Sequence, residues 1–201
     1  VTKTAAEDKR MPELDISLKD GTGANDKVTV EVVKAPNKQE DFGFKVKTDA
    51  IENVNIIDSD DDNNTVVLIQ SGVAAPKADV VVKGGVAGKY FELVGDKVGN
   101  DYSHIKAATV DASEYLGDFR VTVDGANQKI SLGQGNDIVS FYGVGNLTGA
   151  DKVTGGAGTD IVRGVLSSSQ ALDVTGVEEL YVASTNTINL DISKGDFEKF
   201  T

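Results

Sequence analysis

Carboxylates are the chemistry-bearing residues of this chain, and they gather where the backbone must turn. Asp137 lies in "LGQGNDIV", Asp151 in "LTGADKV", Asp160 in "GGAGTDIV", and Asp26 in the looser "GTGANDKV". In the first three a glycine stands two residues ahead of the aspartate (Gly135, Gly149, Gly158). A separate stretch, "IIDSDDDNNTVV", brings Asp58, Asp60, Asp61 and Asp62 together. Hard carboxylate and carbonyl oxygens are what calcium takes, six to eight at a time and in flexible geometry. In a G-G-x-G-x-D turn the glycines adopt conformations closed to residues with a Cβ. The bent backbone then aims carbonyls inward and the aspartate closes the shell. One such turn is too few ligands. Stacked turns would share each ion, so that metal binding and folding occur together. Two other readings stand beside this one. The glycines could serve only as turns, or "GGAGTD" could cradle phosphate, although the Lys-Ser/Thr of a P-loop and its long helix are missing.

The remaining candidates are weaker. Asp58, Asp60 and Asp62 share the D-x-D-x-D opening of an EF-hand loop, but Asn63 stands where that loop needs glycine and Ile69 where it needs glutamate. The stretch reads as a loop cation site or as a solvated acidic turn. His104 is the single histidine and Ser103 is its immediate neighbour, which is no triad geometry. Zinc lacks both cysteine and a second histidine. The sequons at Asn63 and Asn146 carry no weight.

Composition narrows the classes. The 201 residues carry a net charge of −12, with 32 acidic against 20 basic side chains. Nucleic acid and anionic membranes call for the opposite balance. Acidic surfaces suit solubility and cations. There is no cysteine and no tryptophan, so disulfides and thiolate metal sites are excluded. No apolar run is long enough to span a bilayer, and the opening "VTKTAAEDKR" has no apolar core for a signal peptide. Aromatic residues make up 6% of the chain, too few to suggest a sugar-binding cleft.

These turns need short strands to position them, and the chain supplies many. Val28–Val33, Phe42–Lys47, Thr65–Ile69, Asp79–Val82, Tyr90–Val94, Phe119–Val123 and Lys129–Leu132 read as strands. Several alternate apolar with polar residues. "VVLI" and "VVV" are continuous and fit burial on both faces. Ser193–Phe200 admits one short helix capped by Ser193. In the second half apolar residues recur at a beat near eight: Ile130 to Ile138, Val153 to Ile161, Leu172 to Leu180 to Ile188. One strand plus one turn per step makes either a meander or the half-turns of a parallel solenoid. Two longer echoes, Thr109–Phe119 with Asn189–Phe197 and Ala50–Asp58 with Gly176–Ser184, suggest diverged repeats. The least regular stretch, Gly95–Lys106, places a soft division near residue 104. It separates a β-rich repeat or sandwich-like segment (1–103) from a solenoid segment (104–201).

"GGAGTDIV" resembles the calcium-binding nonapeptide G-G-x-G-x-D-x-U-x of RTX proteins. "LGQGNDIV" is similar, with Leu132 at the first glycine position, and "LTGADKV" is a degenerate copy. "ATVDAS", "AIENVNI" and "VTGVEEL" look like the sequences between such repeats in bacterial surface-layer proteins. The resemblance implies an all-β, elongated, parallel β-solenoid with calcium-stabilised, β-roll-like turns. A β-sandwich-like N-terminal part is the alternative for residues 1–103. The ligands it implies are Asp137, Asp151, Asp160 and Asn136, with Gly133, Gly135, Gly156 and Gly158 supplying carbonyls or the bend. Asp58, Asp60 and Asp62 are added from the acidic loop. The expected protein is structural rather than enzymatic, extracellular and at the cell surface, and Ca2+-dependent. It would self-associate into a lattice or filament, with a cell-surface glycan as a further candidate partner and no nucleic acid or membrane insertion. Two alternatives are an adhesin or virion-fibre module binding a receptor or glycan, and the calcium-binding appendage of a secreted hydrolase.

Overall fold

The computed structural model describes residues 11–17, 23, 25–33, 42–71, 79–95, 97–98, 101–102, 104–125, 127–184 and 186–201. Among these residues there are strands and turns but no helix. In chain order the strands are β1 (Glu13–Ser17), β2 (Lys27–Val32), β3 (Phe42–Asp49), β4 (Asn53–Asp58), β5 (Asn64–Ser71), β6 (Asp79–Gly84) and β7 (Tyr90–Val94). There follow β8 (Lys97–Val98), β9 (Asp101–Tyr102), β10 (Thr109–Tyr115), β11 (Asp118–Val123), β12 (Lys129–Ser131), β13 (Ile138–Val144) and β14 (Lys152–Thr154). The last are β15 (Ile161–Leu166), β16 (Gln170–Ala171), β17 (Asp173–Thr175), β18 (Glu179–Ser184), β19 (Leu190–Asp191) and β20 (Lys199–Phe200).

Two large sheets take these strands by turns. The first runs β1-β3-β5-β7-β11-β13-β15-β18-β20 and the second β17-β14-β12-β10-β6-β4-β2. Within both sheets every pairing is parallel, while the small hairpin of β8 and β9 is antiparallel. The chain therefore winds as a two-sheet parallel β-solenoid, each rung contributing one strand to each sheet. Of the two expectations for the eight-residue beat, the meander gives way to the half-rung. Both sheets pass the neighbourhood of residue 104 intact, since β7 pairs with β11 and β6 with β10. The N-terminal strands belong to the same two sheets as the C-terminal ones.

The core follows from the register. In the second sheet Val54, Val80, Val110, Ile130, Val153 and Val174 stack as one column, each essentially without solvent exposure. In the first, Val66, Leu93, Val121, Val139, Val162 and Leu180 do the same. A parallel stack puts like beside like, and the stiff β-branched side chain suits a pleated surface buried on its inner face. That accounts for the abundance of valine. Ile138 and Ile161 sit one residue before the inward Val139 and Val162 and are half-buried, so the sequence beat is off by one at these two strands, whereas Leu180 is itself inward. Rung length varies from 18 residues (Val121 to Val139) to 32 (Leu14 to Val46), the excess being taken up in the corners.

The two sequence echoes have different fates. Ala50–Asp58 and Gly176–Ser184 lie at opposite corners, one entering the second sheet at β4 and the other the first at β18. Their local build is nonetheless the same. Ala50 (φ 53°) and Gly176 (φ 61°) are both left-handed, and Ile51 and Val177 are buried next to them. Asp111 and Asp191, from the other echo, each accept the N–H of a serine two residues on (Ser113, 3.1 Å; Ser193, 2.9 Å). The expected helix at Ser193–Phe200 is absent. Ser193 is tied back to Asp191 as an Asx turn, the Phe197 ring lies over Gly195, and the chain re-enters the first sheet as β20.

A left-handed alanine costs about 1–2 kcal/mol that glycine avoids. Ala50→Gly is expected to raise stability by roughly 1 kcal/mol. Gly176→Ala, where a Cβ meets nothing nearer than 3.8 Å, is expected to lower it by a similar amount. Opposite shifts of the urea midpoint at unchanged slope are the check.

Candidate functional site

The predicted ligands divide among three places. Asp137 precedes β13 and Asp160 precedes β15, and the register of those strands makes the two residues equivalent positions of consecutive rungs. The two best motif copies are thus stacked directly, 23 residues apart in sequence. Gln134 and Ala157, at the same level of the two turns, form a parallel bridge. Asp151 precedes β14 in the other sheet, at the opposite corner. The nine-residue spacing from Asp151 to Asp160 therefore measures half a rung and separates the two residues. Asp58, Asp60 and Asp62 occupy the corner between β4 and β5, several rungs away.

At the stacked turns both oxygens of each aspartate are engaged by backbone donors. Asp137 Oδ1 accepts the Phe119 N–H of the preceding rung at 2.7 Å, and its Oδ2 accepts Gly133 N–H at 3.2 Å. Asp160 repeats this, accepting Asp137 N–H at 3.0 Å and Gly156 N–H at 2.9 Å. Glu178 continues the column by accepting Asp160 N–H at 2.8 Å. One residue earlier a second column runs the other way. Asp118 Oδ1 accepts Asn136 N–H at 2.8 Å, and Asn136 Oδ1 accepts Thr159 N–H at 2.9 Å. The turn backbones are zipped as well: Gly135 N–H donates to Ala157 O and Ala157 N–H to Gly133 O. Gly135 (φ 118°) and Gly158 (φ 127°) make this approach possible, since a Cβ on Gly158 would stand 1.8 Å from Gly135 O.

The opposite corner uses the same device. Asp151 Oδ1 accepts Gln128 N–H at 2.7 Å, and its Oδ2 takes Thr148 N–H at 2.8 Å and the Thr148 hydroxyl at 2.9 Å. Glu52 accepts Asp26 N–H at 2.9 Å. Asp118, Glu178, Glu52 and Gln128 were not among the sequence candidates. The signal available for the two glutamates was their position directly before an alternating strand, in "AIENVNI" and "GVEELYV".

This column concentrates negative charge away from water. Asp137 and Asp160 are fully buried. Burial pushes the Asp137 carboxyl up to about 7, the Phe119 and Gly133 N–H groups pulling back and the Asp160 charge adding to the rise. Asp160 is raised too, first by burial, with Glu178 contributing. The described ion pairs contain no Lys or Arg partner for either aspartate.

The acidic loop is built differently. Asp58 is buried and accepts Tyr115 O–H at 2.8 Å, Asn64 Nδ2–H at 3.0 Å and Asp60 N–H at 3.4 Å. Tyr115 reaches it over Gly85, where a Cβ would meet the ring at 2.4 Å. Burial raises the Asp58 carboxyl and pushes the Tyr115 phenol above its ordinary range. Asp60, Asp61 and Asp62 each place a carboxylate oxygen within 4.8 Å of the others, and Asp60 is almost fully buried. Asn64 Oδ1, in the same loop, is buried without a hydrogen-bond donor. Three converging carboxylates are hard oxygen donors of the kind a divalent cation takes. Asp62 also lies 3.9 Å from Lys89 Nζ.

His104 has a bracing role. It pairs with Asp124 at 2.8 Å and stacks on Tyr142 with ring centroids 4.5 Å apart, while Asn146 donates to the other Asp124 oxygen. Compared with known protein families, curated proteins and solved structures, the chain matches none of them.

The sign of the pH dependence follows from Asp137. Its carboxyl is raised in the folded chain, so the fold binds the proton more tightly than the unfolded chain does. That stability is complete below the ordinary carboxylate range and is lost as pH rises through about 7. In chelator, unfolding measured from pH 4 to pH 8 is expected to show a loss of up to about 4 kcal/mol. Asp137→Asn is expected to flatten that profile.

Proposed function

We propose that this chain is a structural, non-catalytic module of an extracellular surface assembly, a calcium-dependent component of a bacterial surface layer or a comparable cell-surface array. The observation that carries the structural reading is where the polar chemistry goes. Asp137, Asp151, Asp160, Glu52 and Glu178 all accept backbone N–H groups from a neighbouring rung. Side chains that would otherwise be candidates for acid–base work hold one rung to the next. The resemblance of "GGAGTDIV" and "LGQGNDIV" to RTX-type repeats points the same way.

Two features support calcium. The first is the loop in which the carboxylates of Asp60, Asp61 and Asp62 converge. The second is the buried column of Asp137 and Asp160, whose charges lack a basic partner among the described ion pairs. A buried carboxylate is costly unless it is protonated, paired or bound to metal. Calcium would neutralise both places and reduce the repulsion within a chain of net charge −12. In this reading the ion stiffens rungs that already stack, and proton and calcium compete at Asp137.

At millimolar calcium, sites of the weak extracellular class are expected to add about 1 kcal/mol each. Thermal melting in chelator and then across a calcium titration, with magnesium as control, is the test. A calcium-specific rise in Tm that is reduced separately by Asp60→Asn and by Asp160→Asn supports ion binding at both places. The same Tm in chelator and in calcium would overturn the calcium part of the proposal.

A further inference from the structure

A row of residues on the outer face of the first sheet is complementary to itself in charge. The residues one position before the inward column point outward, one per rung: Glu92, Arg120, Ile138, Ile161, Glu179 and Lys199. All are half-buried except Lys199, which is exposed. Laid over itself in reverse, the row sets Glu92 on Lys199, Arg120 on Glu179 and Ile138 on Ile161. Its central charges are held in place. The Arg120 guanidinium lies 4.6 Å from the centroid of the Tyr90 ring, and Glu179 accepts the Tyr181 hydroxyl at 2.7 Å. Beside it runs a second outward row of Thr122, Ser140, Arg163 and Tyr181. Tyrosine and arginine are enriched at protein interfaces and lysine is depleted. The corresponding row of the second sheet, from Lys27 through Thr109 and Lys129 to Asp173, has no apolar residue.

We infer that this face is a twofold interface that receives a second copy of the chain, its axis running along the strands between β13 and β15. The inference deepens the surface-assembly reading and rests on it for the claim that copies associate. Charge selects both the occupant and the axis. Ile138 meets Ile161 of the second copy at the centre. Contacts of opposite sign, Arg120 with Glu179 and Glu92 with Lys199, flank it, each formed twice. Moving the axis onto β13 sets Glu92 against Glu179, and moving it onto β15 sets Arg120 against Lys199. Turning it to run along the row sets every charge against its own copy. Six strands about 4.8 Å apart, each presenting about six residues, make a patch of about 600 Å² per copy, at the lower end of specific interfaces. A contact of this kind closes at two copies, so the face supplies one joint of an array.

The test is sedimentation of the full chain over a range of concentrations, with and without calcium. The wild type is expected to associate to at least a dimer as concentration rises. Arg120→Glu and Glu179→Arg each set like charges across the axis at two places, and each is expected to weaken association at least about tenfold. An equimolar mixture of the two variants restores opposite charges at both places and is expected to recover it. A change that merely perturbs the fold would not be rescued by mixing. The chain has no cysteine, which allows an independent reading. Thr122 of one copy faces Tyr181 of the other across the gap of about 10 Å between packed sheets, which a short bismaleimide spans. Thr122→Cys mixed with Tyr181→Cys is expected to give a cross-linked dimer. Neither variant alone is expected to do so, because each cysteine and its own symmetry mate are offset by three strands. Association indifferent to both charge reversals, with no cross-link in the mixture, overturns the interface and leaves the surface-assembly reading standing. A chain that stays monomeric with and without calcium overturns both.

Discussion

Wherever a rung turns from one sheet to the other, its N–H groups leave the regular ladder and need new acceptors. Unpaired buried donors are costly, so each needs a partner. This chain meets the need with an acid or amide placed immediately before the next strand. The side chain reaches one rung along the stack and accepts the N–H of the residue at the same level. Asp137 does this for Phe119, Asp160 for Asp137, Glu178 for Asp160, Asp151 for Gln128 and Glu52 for Asp26. The valine columns drive the sheets together, but they are non-directional. The corner bonds have direction, and they hold one rung over the next in register.

The same device creates the tension on which the functional proposal turns. An acceptor that serves two backbone donors works best as a carboxylate, yet consecutive corners then line up carboxylates in a buried column. Burial first, and after it the neighbouring Asp160 charge, push the Asp137 carboxyl up to about 7. A proton relieves the tension at low pH and a divalent cation could relieve it near neutrality. Asp118, Asn136 and Thr159, one position earlier, form a parallel column that includes a neutral amide.

Close stacking also dictates where glycine stands. Gly158 and Gly135 bring backbone against backbone at the stacked turns, and Gly85 clears the path by which Tyr115 bridges to Asp58. Asp58 is consequently occupied by three donors, and the converging carboxylates of its loop are those of Asp60, Asp61 and Asp62. The D-x-D-x-D spacing suggested three equal ligands. Folding ties Asp58 into a bridge to Tyr115 and Asn64, and the carboxylate oxygens that converge are those of Asp60, Asp61 and Asp62.

By itself the sequence determined the class of fold. Alternating valine-rich segments, frequent glycine and the eight-residue beat are local signals, and a strand of period two can be read without knowing its partner. The Gly-Asp turns and their likeness at Asp137 and Asp160 were legible for the same reason. Only the tertiary structure decided which turns meet. Stacking depends on rung length, which varies with every corner, so the 23 residues from Asp137 to Asp160 bring them together while the nine from Asp151 to Asp160 keep them apart. It also decided that Glu52 and Glu178 act as corner acceptors, because their partners lie 26 and 18 residues away. Ser193–Phe200 shows the limit most plainly. Its helical spacing of Phe197 and Phe200 is real, but a preceding rung offers β20 a ladder to join, and hydrogen bonds to that rung outweigh a marginal helix of two turns.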